Sequence, residues 1–325
     1  MAKGERIVSQ AKPLRLWIVT EGRAGHVSML LGFSRRLAEK LPLETHWLNV
    51  TETPFRYRGT AALLQQFGAE EKPDWILGTG SHCYWPMIWM RYVMGVKTIA
   101  LQCPAQPLSL YSAVVAPEHD APRGWKHVFV SQGVLNKIEP VTEGRDRSRG
   151  LILLGGINKH FEWDNAHIAE QIAAIASAQP NVQWLVSDSP RSPESLLPAI
   201  AGLGLANVSL KPFAECSVDW LQEQLSAVGQ AWVSRDSVSM VYESLSAAAP
   251  TGMLHLEKKR DSRVTRCMDK VIERGQLAAY ESAELRQPLP APAMPLNETQ
   301  RAVDWFIDFA KLKLENQADG ERSVK

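Results

Sequence analysis

A short glycine-rich segment near the start of the sequence carries residue types suited to proton transfer or to the binding of phosphate. The segment GRAGH holds Gly22, Gly25 and His26. Glycines allow a backbone to approach a ligand closely, and the N-terminus of a helix that follows them favours an anion. A histidine there can take a proton from an acceptor hydroxyl, or bind phosphate when charged. A tight turn with a capping histidine explains the same motif equally well.

A second segment, RDSVSMVYES, predicts an anion site at the start of a helix. Asp236 or Ser237 is expected to cap that helix, and the hydroxyls of Ser237 and Ser239 with the free N–H groups suit a diphosphate. Glu243 follows Ser239 by one helical turn and so shares its face, where a carboxylate could accept both hydroxyls of a ribose. The alternative is a well-capped helix with a solvated glutamate.

Two further loops in the second half of the chain have residues suited to phosphate. In GGINKH, Gly155 and Gly156 follow a predicted strand and invite close approach of a ligand, and Lys159 adds positive charge. In SDSPRSP, Arg191 could clamp a phosphate with its planar guanidinium. Ordinary turns account for both loops as well, because glycine, proline and serine are common turn residues.

An acid–base cluster occurs in the first half of the chain, in APEHD, where Glu118, His119 and Asp120 are consecutive. These residues form the second candidate for proton transfer. The sequence has no H-x-x-H or H-E-x-x-H spacing for zinc, and no D-x-D pair that would hold a metal–diphosphate. We therefore predict no metal and no cofactor.

The elements that position these segments alternate between short apolar strands and amphipathic helices. Leu14–Thr20 is predicted as a buried strand, the segment through His26 as a turn, and a helix from Val27 onward. Residues 140–150 are polar and highly charged, which is typical of an interdomain linker. The alternation then restarts and ends with a helix predicted from Asn297, and the tail beyond it is expected to fray.

This alternation predicts an α/β fold of two wound, mostly parallel-sheet domains that face a cleft. The expected boundaries are residues 1–145 for the first domain and 146–290 for the second, with 291–325 as a Pro-rich crossover and C-terminal helix. Ligands of open α/β sheets bind beyond the carboxyl ends of the strands. The candidate segments follow predicted strands, so we expect them at those sheet edges.

The composition argues against several classes of protein. A net charge of +1, from 36 basic and 35 acidic residues, is not that of a nucleic-acid binder. The four cysteines form no C-x-x-C pair, so we interpret them as reduced thiols in a cytoplasmic protein. Residues 1–15 are polar and lack the pattern of a signal peptide. Residues 85–94, WPMIWMRYVM, are too short to span a membrane and either dock on its surface or pack as a buried helix.

Six ordered segments within residues 15–250 resemble the mitochondrial fission "elongated mitochondria" family, which has plant members and bacterial relatives. They are GRAGH, GSH before a helix, PLSLYSAVVAPEHD, GVLNKI, LILLGGINKHFEWD and RDSVSMVYES. The sequence departs from the family pattern at SPRSP, where S-R-R-T-P is usual, and at AAAPTGML, where T-G-K-P-V is usual. The resemblance implies a GT-B glycosyltransferase-like fold, with the acceptor at the first domain and the nucleotide sugar at the second.

The resemblance also implies roles for single residues. His26 would lie near the reacting centre, while Gly156, Ser237 and Ser239 would meet the diphosphate and Glu243 the ribose. The loops on the acceptor side would contain Gly22, Gly25, Ser81 and His82.

Together these features predict a metal-independent transfer of sugar from a nucleotide sugar to a cell-envelope acceptor that is lipid-linked or of the lipopolysaccharide type. Such an enzyme would be cytoplasmic, and peripheral contact with the inner membrane is compatible with it. One alternative is a non-catalytic adaptor, because the plant members of the family help to recruit a dynamin-like protein. A weaker alternative is a sugar-nucleotide epimerase, which needs no acceptor.

Overall fold

The computed structural model describes residues 12–122, 124–292 and 295–312. Most of the polar stretch 1–15 and the tail that is expected to fray lie outside these ranges. Within them the chain forms two compact units. Unit 1 comprises the described residues up to Lys137 and those from Thr299 onward, and unit 2 comprises the described residues of Ile138–Glu298.

Unit 1 is built on a parallel sheet whose described strands have the order β2-β1-β3-β4-β5-β6. Its first elements, in chain order, are β1 (Leu14–Thr20), α1 (Ala24–Ala38), β2 (Leu43–Asn49), α2 (Thr60–Phe67), β3 (Trp75–Gly78), α3 (Ser81–Met94), β4 (Lys97–Leu101), β5 (Ala113–Pro117) and β6 (Val128–Ser131). Along β1, Leu16 and Ile18 pack into the hydrophobic cluster on one face of the sheet, while Trp17 and Val19 pack into the cluster on the other. Both faces are therefore covered, as parallel sheets require.

Unit 2 repeats this architecture with the strand order β12-β11-β10-β7-β8-β9, again with parallel neighbours. Its elements are β7 (Asp146–Leu153), α4 (Asn165–Ala178), β8 (Gln183–Ser187), α5 (Leu196–Ala201), β9 (Val208–Lys211), α6 (Trp220–Ala227), β10 (Val228–Ser234), α7 (Val238–Ser246), β11 (Thr251–Leu254), α8 (Arg263–Glu273) and β12 (Ala278–Ala279). Trp184 of β8 and Trp232 of β10, the two strands that flank β7, are fully buried. The fold is thus α/β with two parallel sheets, as the sequence predicts.

The last helix, α9 (Glu298–Ala310), packs onto the sheet of unit 1. The ring of Phe306 is fully buried and lies 4.8 Å from the ring of Trp75 and 5.5 Å from that of Phe33, measured between centroids. Val303 and Ile307, on the same face of the helix, join this cluster. The apolar stripe that the sequence shows on this helix therefore belongs to the core of the N-terminal unit.

Three details of the fold differ from the sequence-based expectation. The helix α1 begins at Ala24, three residues before Val27, so Gly25 and His26 lie in its first turn. The helix α2 was not anticipated. The strand β7 begins at Asp146 and therefore includes the end of the stretch 140–150 that was interpreted as linker. Its first four residues are exposed and its last four are buried, so the charged half of a strand resembles a loop in the sequence.

In the part of the chain that the structure describes, no helix combines the length and the apolar character that crossing a bilayer requires.

Candidate active site

Each sheet has one place where the order of its strands reverses. In unit 1, β1 pairs with β2 on one side and with β3 on the other. In unit 2, β7 pairs with β8 and with β10 in the same way. Ligands of open α/β sheets bind beyond the carboxyl ends of the strands at such a reversal. The residues that follow β1 and β3, and those that follow β7 and β10, are therefore the first to consider.

Glu21, the residue directly after β1, is the centre of the polar cluster in unit 1. Its side chain is almost completely buried. One carboxylate oxygen, Oε2, accepts hydrogen bonds from the His82 backbone N–H at 3.3 Å and from the His82 ring Nδ1 at 3.0 Å. The other, Oε1, lies 3.0 Å from Nε of Arg23 and 3.1 Å from Nδ1 of His26. A single carboxylate thus gathers three cationic or titratable side chains from the starts of α1 and α3.

The close approach of Glu21 to α3 depends on Gly80, the residue that precedes this helix. Gly80 has a φ of 105°, and a Cβ added to it would lie 2.6 Å from the carboxyl carbon of Glu21. Because L side chains avoid this φ and no atom can be that close, only glycine fits. The carboxylate then takes the place of a side-chain cap at the N-terminus of α3, where negative charge is favourable.

The electrostatics of the cluster set the charge of each group. Burial raises the pKa of Glu21, but hydrogen bonds from His82 and the charges of His26 and Arg23 outweigh it, so the pKa falls below its ordinary value of 4.5. Burial lowers the pKa of His26 below 6.5, and Arg23 lowers it further, although Glu21 acts in the opposite direction. At neutral pH the Glu21 carboxyl is therefore ionised and the His26 ring is neutral.

The two histidines differ in how they present their rings. His82 is 65% exposed in its side chain, whereas His26 is 16% exposed. An ionised carboxylate only accepts hydrogen bonds, so Nδ1 of His82 carries the proton and Nε2 is left as the basic nitrogen. Nδ1 of His26 lies 3.1 Å from Oε1 of Glu21, but the ring of His26 is largely buried. His82 therefore has the geometry of a histidine that a carboxylate orients for proton transfer.

The other candidate residues of unit 1 lie along the same sheet edge. Gly22 has a φ of 78° and continues the turn after β1, and Gly25 lies in the first turn of α1. Ser81 is exposed and begins α3, next to His82. The turn Glu118–Asp120 follows β5, which is separated from β3 by β4. At the usual strand spacing this places the turn about 10 Å from the end of β3, so it shares the edge with Glu21 but not the cluster.

Asp236, two residues after β10, is the centre of the polar network at the strand reversal of unit 2. Its side chain is fully buried, and Oδ2 accepts a hydrogen bond from the N–H of Gly156 at 2.9 Å and lies 3.0 Å from a guanidinium nitrogen of Arg191. Its Oδ1 accepts from the Ser234 hydroxyl at 2.6 Å. Burial has the largest effect and raises the pKa of Asp236 above its ordinary value, although Ser234, Arg191 and the N–H of Gly156 act in the opposite direction.

This network explains the two glycines after β7. A Cβ on Gly155 would lie 2.2 Å from a carboxylate oxygen of Asp236, and one on Gly156 would lie 2.2 Å from the backbone of Arg191. The close approach that the sequence led us to expect is therefore made by the protein itself. Arg191 nevertheless keeps 43% of its side chain exposed, so its guanidinium is held by Asp236 and still faces solvent.

The remaining candidates of unit 2 occupy α7 and the loop after β7. Ser237 is the N-cap of α7, but it makes no side-chain capping bond, and Asp236 is engaged elsewhere. Ser239 is half-buried in the first turn, and Glu243, expected to be accessible to a ribose, is largely buried. Lys159 is exposed in the loop after β7. The N-terminus of α7 thus lies beside Asp236 at the reversal between β7 and β10.

Reasoning from sequence did not select Glu21 and treated Asp236 only as a helix cap. A detectable signal existed in both cases, because each is a carboxylate within two residues of a buried strand end at a strand reversal. Which strands are neighbours was the missing information. His82 was a candidate only because of the family resemblance, and the structure shows that its partner is Glu21.

A pocket of about 550 Å³ lies elsewhere in unit 1. It is lined near the amino ends of the strands, by Trp75 of β3 and Lys97 of β4 among others, at the edge of the sheet opposite Glu21. It therefore takes no part in the cluster described above. Among the residues that the structure describes, no group of three or more His, Cys, Asp and Glu side chains is arranged to hold a metal ion.

Comparisons with known proteins agree with this architecture. The family model described as mitochondrial fission ELM1 matches residues 24–308. No curated protein matches the sequence. A crystal structure of UDP-N-acetylglucosamine 2-epimerase aligns with a TM-score of 0.59 at 14% identity, over 93% of this chain and 98% of that one.

Two further solved structures show the same fold. The UDP-GlcNAc 2-epimerase of Neisseria meningitidis, bound to UDP-GlcNAc, aligns with a TM-score of 0.50 at 12% identity, over 91% of this chain and 100% of that one. MurG of Acinetobacter baumannii aligns with a TM-score of 0.50 at 12% identity, over 90% of this chain and 99% of that one. Identities this low show a shared fold, which is the GT-B glycosyltransferase-like fold.

Proposed function

This chain belongs to the mitochondrial fission ELM1 family, and from that premise we propose that it is a glycosyltransferase. It would move a sugar from a nucleotide sugar to a hydroxyl of a cell-envelope acceptor that is lipid-linked or of the lipopolysaccharide type. The observation that carries the proposal is the pairing of Glu21 with His82 at the strand reversal of unit 1. A carboxylate that orients a histidine is the arrangement needed to deprotonate a hydroxyl nucleophile.

Proton transfer is assigned to Nε2 of His82. The ionised Glu21 holds the proton on Nδ1 and stabilises the imidazolium that forms when Nε2 takes the acceptor proton. His26, which burial keeps neutral, is the second candidate for this role. The turn Glu118–Asp120 is the third, because it shares the sheet edge.

The departing nucleotide diphosphate is assigned to unit 2. Transfer leaves negative charge on this group, and the N-terminus of α7 at Ser237 with the exposed guanidinium of Arg191 can stabilise it. Gly156, Ser239 and Lys159 are the further candidates for contact, and Glu243, although largely buried, is the candidate for the ribose. The N-terminus of α7, Arg191 and Lys159 would offset the negative charge that a metal ion would otherwise neutralise, so the proposed transfer is metal-independent and its rate is expected to withstand EDTA.

The first experiment separates binding from transfer. Calorimetry with UDP, GDP, ADP and CMP is expected to show one nucleotide that binds, with weaker binding in Arg191→Gln. Release of that nucleotide from its sugar conjugate, in the presence of envelope lipid extract, is then measured for His82→Asn and Glu21→Gln. Asparagine can still donate to Glu21 in the place of Nδ1 but has no Nε2, so His82→Asn tests the base while keeping the contact.

We expect His82→Asn to bind the nucleotide normally and to lose transfer by roughly a hundredfold or more, the usual contribution of a general base. His26→Ala serves as the comparison, since a loss confined to that variant would move the role of base to His26. Normal transfer by both His82→Asn and His26→Ala would contradict the assignment of a histidine base.

A sugar-nucleotide epimerase is the second candidate, because two of the aligned structures are UDP-N-acetylglucosamine 2-epimerases. It predicts an altered sugar in the absence of any acceptor, whereas the transferase predicts a modified acceptor. A folded protein that binds none of the nucleotides would instead support the adaptor alternative.

A further inference from the structure

The outer face of α3 is unusually aromatic. Trp85, Trp89 and Tyr92 are spaced by four and then three residues and therefore lie on one face of the helix. Trp85 is 55% exposed and Tyr92 is 85% exposed. The opposite face, which includes Met87 and Met90, is buried in the core of unit 1. The helix is thus fixed to the sheet by its methionines and presents large amphipathic rings outward.

The loop before α2 extends this surface. The Tyr57 ring is 54% exposed and meets the Trp89 ring edge-on at 5.8 Å between centroids. On its other side it meets the ring of Phe55 at 5.0 Å. The indole N–H of Trp89 donates to the backbone oxygen of Arg58 at 3.1 Å, which ties the loop to the helix. The rings of Tyr57, Trp85, Trp89 and Tyr92 therefore form one surface across two segments, which we call the aromatic face.

The aromatic face is bordered by positive charge. Arg56 and Arg58 flank Tyr57, and both are exposed. Neither forms an ion pair with a carboxylate in the described part of the chain. Tryptophan and tyrosine prefer the headgroup level of a bilayer, where one end of the ring is apolar and the other is wet. Unpaired arginines beside such rings favour anionic headgroups.

The position of the aromatic face relates it to the candidate active site. Ser81 lies one helical turn before Trp85 on the same face, and the next residue, His82, bonds to Glu21. At 1.5 Å per residue, the aromatic face begins about 6 Å along α3 from this end. A helix that lies flat against a membrane by this face would place the Glu21 cluster at headgroup level.

We propose that the aromatic face, formed by Tyr57, Trp85, Trp89 and Tyr92 with Arg56 and Arg58, docks unit 1 on a bilayer that contains anionic lipid. Resting on the proposed function, this surface would let the enzyme act on an acceptor whose apolar part stays in the membrane. Docking itself needs neither nucleotide nor catalysis, so it can be tested independently of the transfer.

The test is co-sedimentation of the full chain with vesicles of phosphatidylcholine alone, and of phosphatidylcholine with phosphatidylglycerol at 70:30. We expect binding to the mixed vesicles that weakens as salt is raised. The variant Trp85→Ser/Tyr92→Ser, altered only at exposed rings, is expected to bind about tenfold less because it loses apolar area. In Arg56→Gln/Arg58→Gln, the affinity for the mixed vesicles is expected to fall about fivefold for each arginine removed. The affinity for vesicles of phosphatidylcholine alone is expected to change little.

The matched control is Trp47→Ser, which removes a partly exposed tryptophan of β2 and is expected to bind as the wild type does. Equal vesicle binding by wild type and Trp85→Ser/Tyr92→Ser would overturn the proposal, as would absence of binding by the wild type. Self-association that this double variant abolishes, without vesicle binding, would assign the surface to a protein interface instead. Calorimetry with nucleotide on the same variants is expected to be unchanged, so failure of docking is distinguishable from failure of the proposed function.

Discussion

The Glu21 carboxylate, at the end of β1, accepts a hydrogen bond from the ring of His82, in the first turn of α3, at 3.0 Å. These residues are 61 positions apart in the sequence. The bond joins the two strands between which the order of the sheet reverses, β1 and β3. It also selects the tautomer of His82, because an ionised carboxylate only accepts. The predictions below follow from this pair and from its counterpart in unit 2.

Replacing Gly80 by alanine is expected to disrupt the pair. The new Cβ would lie 2.6 Å from the Glu21 carboxyl carbon, and the φ of 105° disfavours any L side chain. We expect unit 1 to lose about 1–3 kcal/mol in free energy of unfolding, as overpacked sites do. Urea unfolding measures the change. Gly124→Ala is the control, since a Cβ there meets nothing within 4 Å, and an equal effect in both variants would contradict the steric role of Gly80.

Stability is expected to depend on pH through His26. Its pKa in the folded protein lies below the ordinary 6.5, so the unfolded chain binds more protons in the window beneath that value. The free energy of unfolding therefore falls as pH drops below about 6.5, and the loss ends below the folded pKa. His26→Gln is expected to flatten this slope when urea midpoints are compared at pH 5, 6 and 7. His46→Gln, which removes a histidine elsewhere in unit 1, provides the comparison, and an unchanged slope in His26→Gln would refute the assignment.

Glu21 is expected to make the free energy of unfolding depend on pH in a more acidic range than His26 does. Its folded pKa lies below 4.5, so the stability that its ionised form contributes is complete above that value and is lost as pH falls through the folded pKa. Glu21→Gln removes this contribution of the ionised carboxylate. The variant is expected to be less stable than wild type at pH 7, with a difference in free energy of unfolding that shrinks toward pH 3. A difference that stays constant over this range would show that charge is not what the cluster requires.

Asp236→Asn is expected to destabilise unit 2. An amide in this fully buried position presents a donor where the Gly156 N–H and the Ser234 hydroxyl both donate to the carboxyl group, and it removes the partner of the Arg191 guanidinium. We expect a loss of about 1–3 kcal/mol in free energy of unfolding, typical of an unsatisfied buried group. Asp164→Asn is the matched control, because asparagine caps a helix as well as aspartate does and Asp164 caps α4. Similar losses in both variants would count against the network.

Phe306→Ala is expected to weaken unit 1 although the residue lies near the end of the sequence. The buried ring contacts Trp75 and Phe33. Its removal leaves a cavity, which is expected to lower the free energy of unfolding by about 3–5 kcal/mol. Asp308→Ala, on the exposed face of α9, is expected to change little. Hydrogen exchange of the β1 and β3 amides reports on unit 1 specifically, and unaltered protection in Phe306→Ala would contradict the packing of α9 on that unit.

The architecture could be predicted from the sequence because its signals are local. The strand Leu14–Thr20 has the predicted bounds, and the last helix begins at Glu298, one residue after the predicted Asn297, since apolar runs and helical periodicity report directly on burial. The ends of helices and strands were harder to predict from the sequence. The glycine in GRAGH suggested a turn, whereas α1 already begins at Ala24, and the charged residues of β7 resembled a linker because that half of the strand is exposed.

The sequence by itself therefore determined the alternation of strands and helices, the α/β class and the loops in which chemistry was to be sought. Only the tertiary structure decided that Glu21 is paired with His82 and that Asp236, rather than a ligand, fills the space above Gly155. The reason is physical. The burial of a strand can be read from its own apolar residues. Its neighbours in the sheet are set by packing between segments far apart in the chain, and these neighbours decide which loops meet at the reversal of strand order.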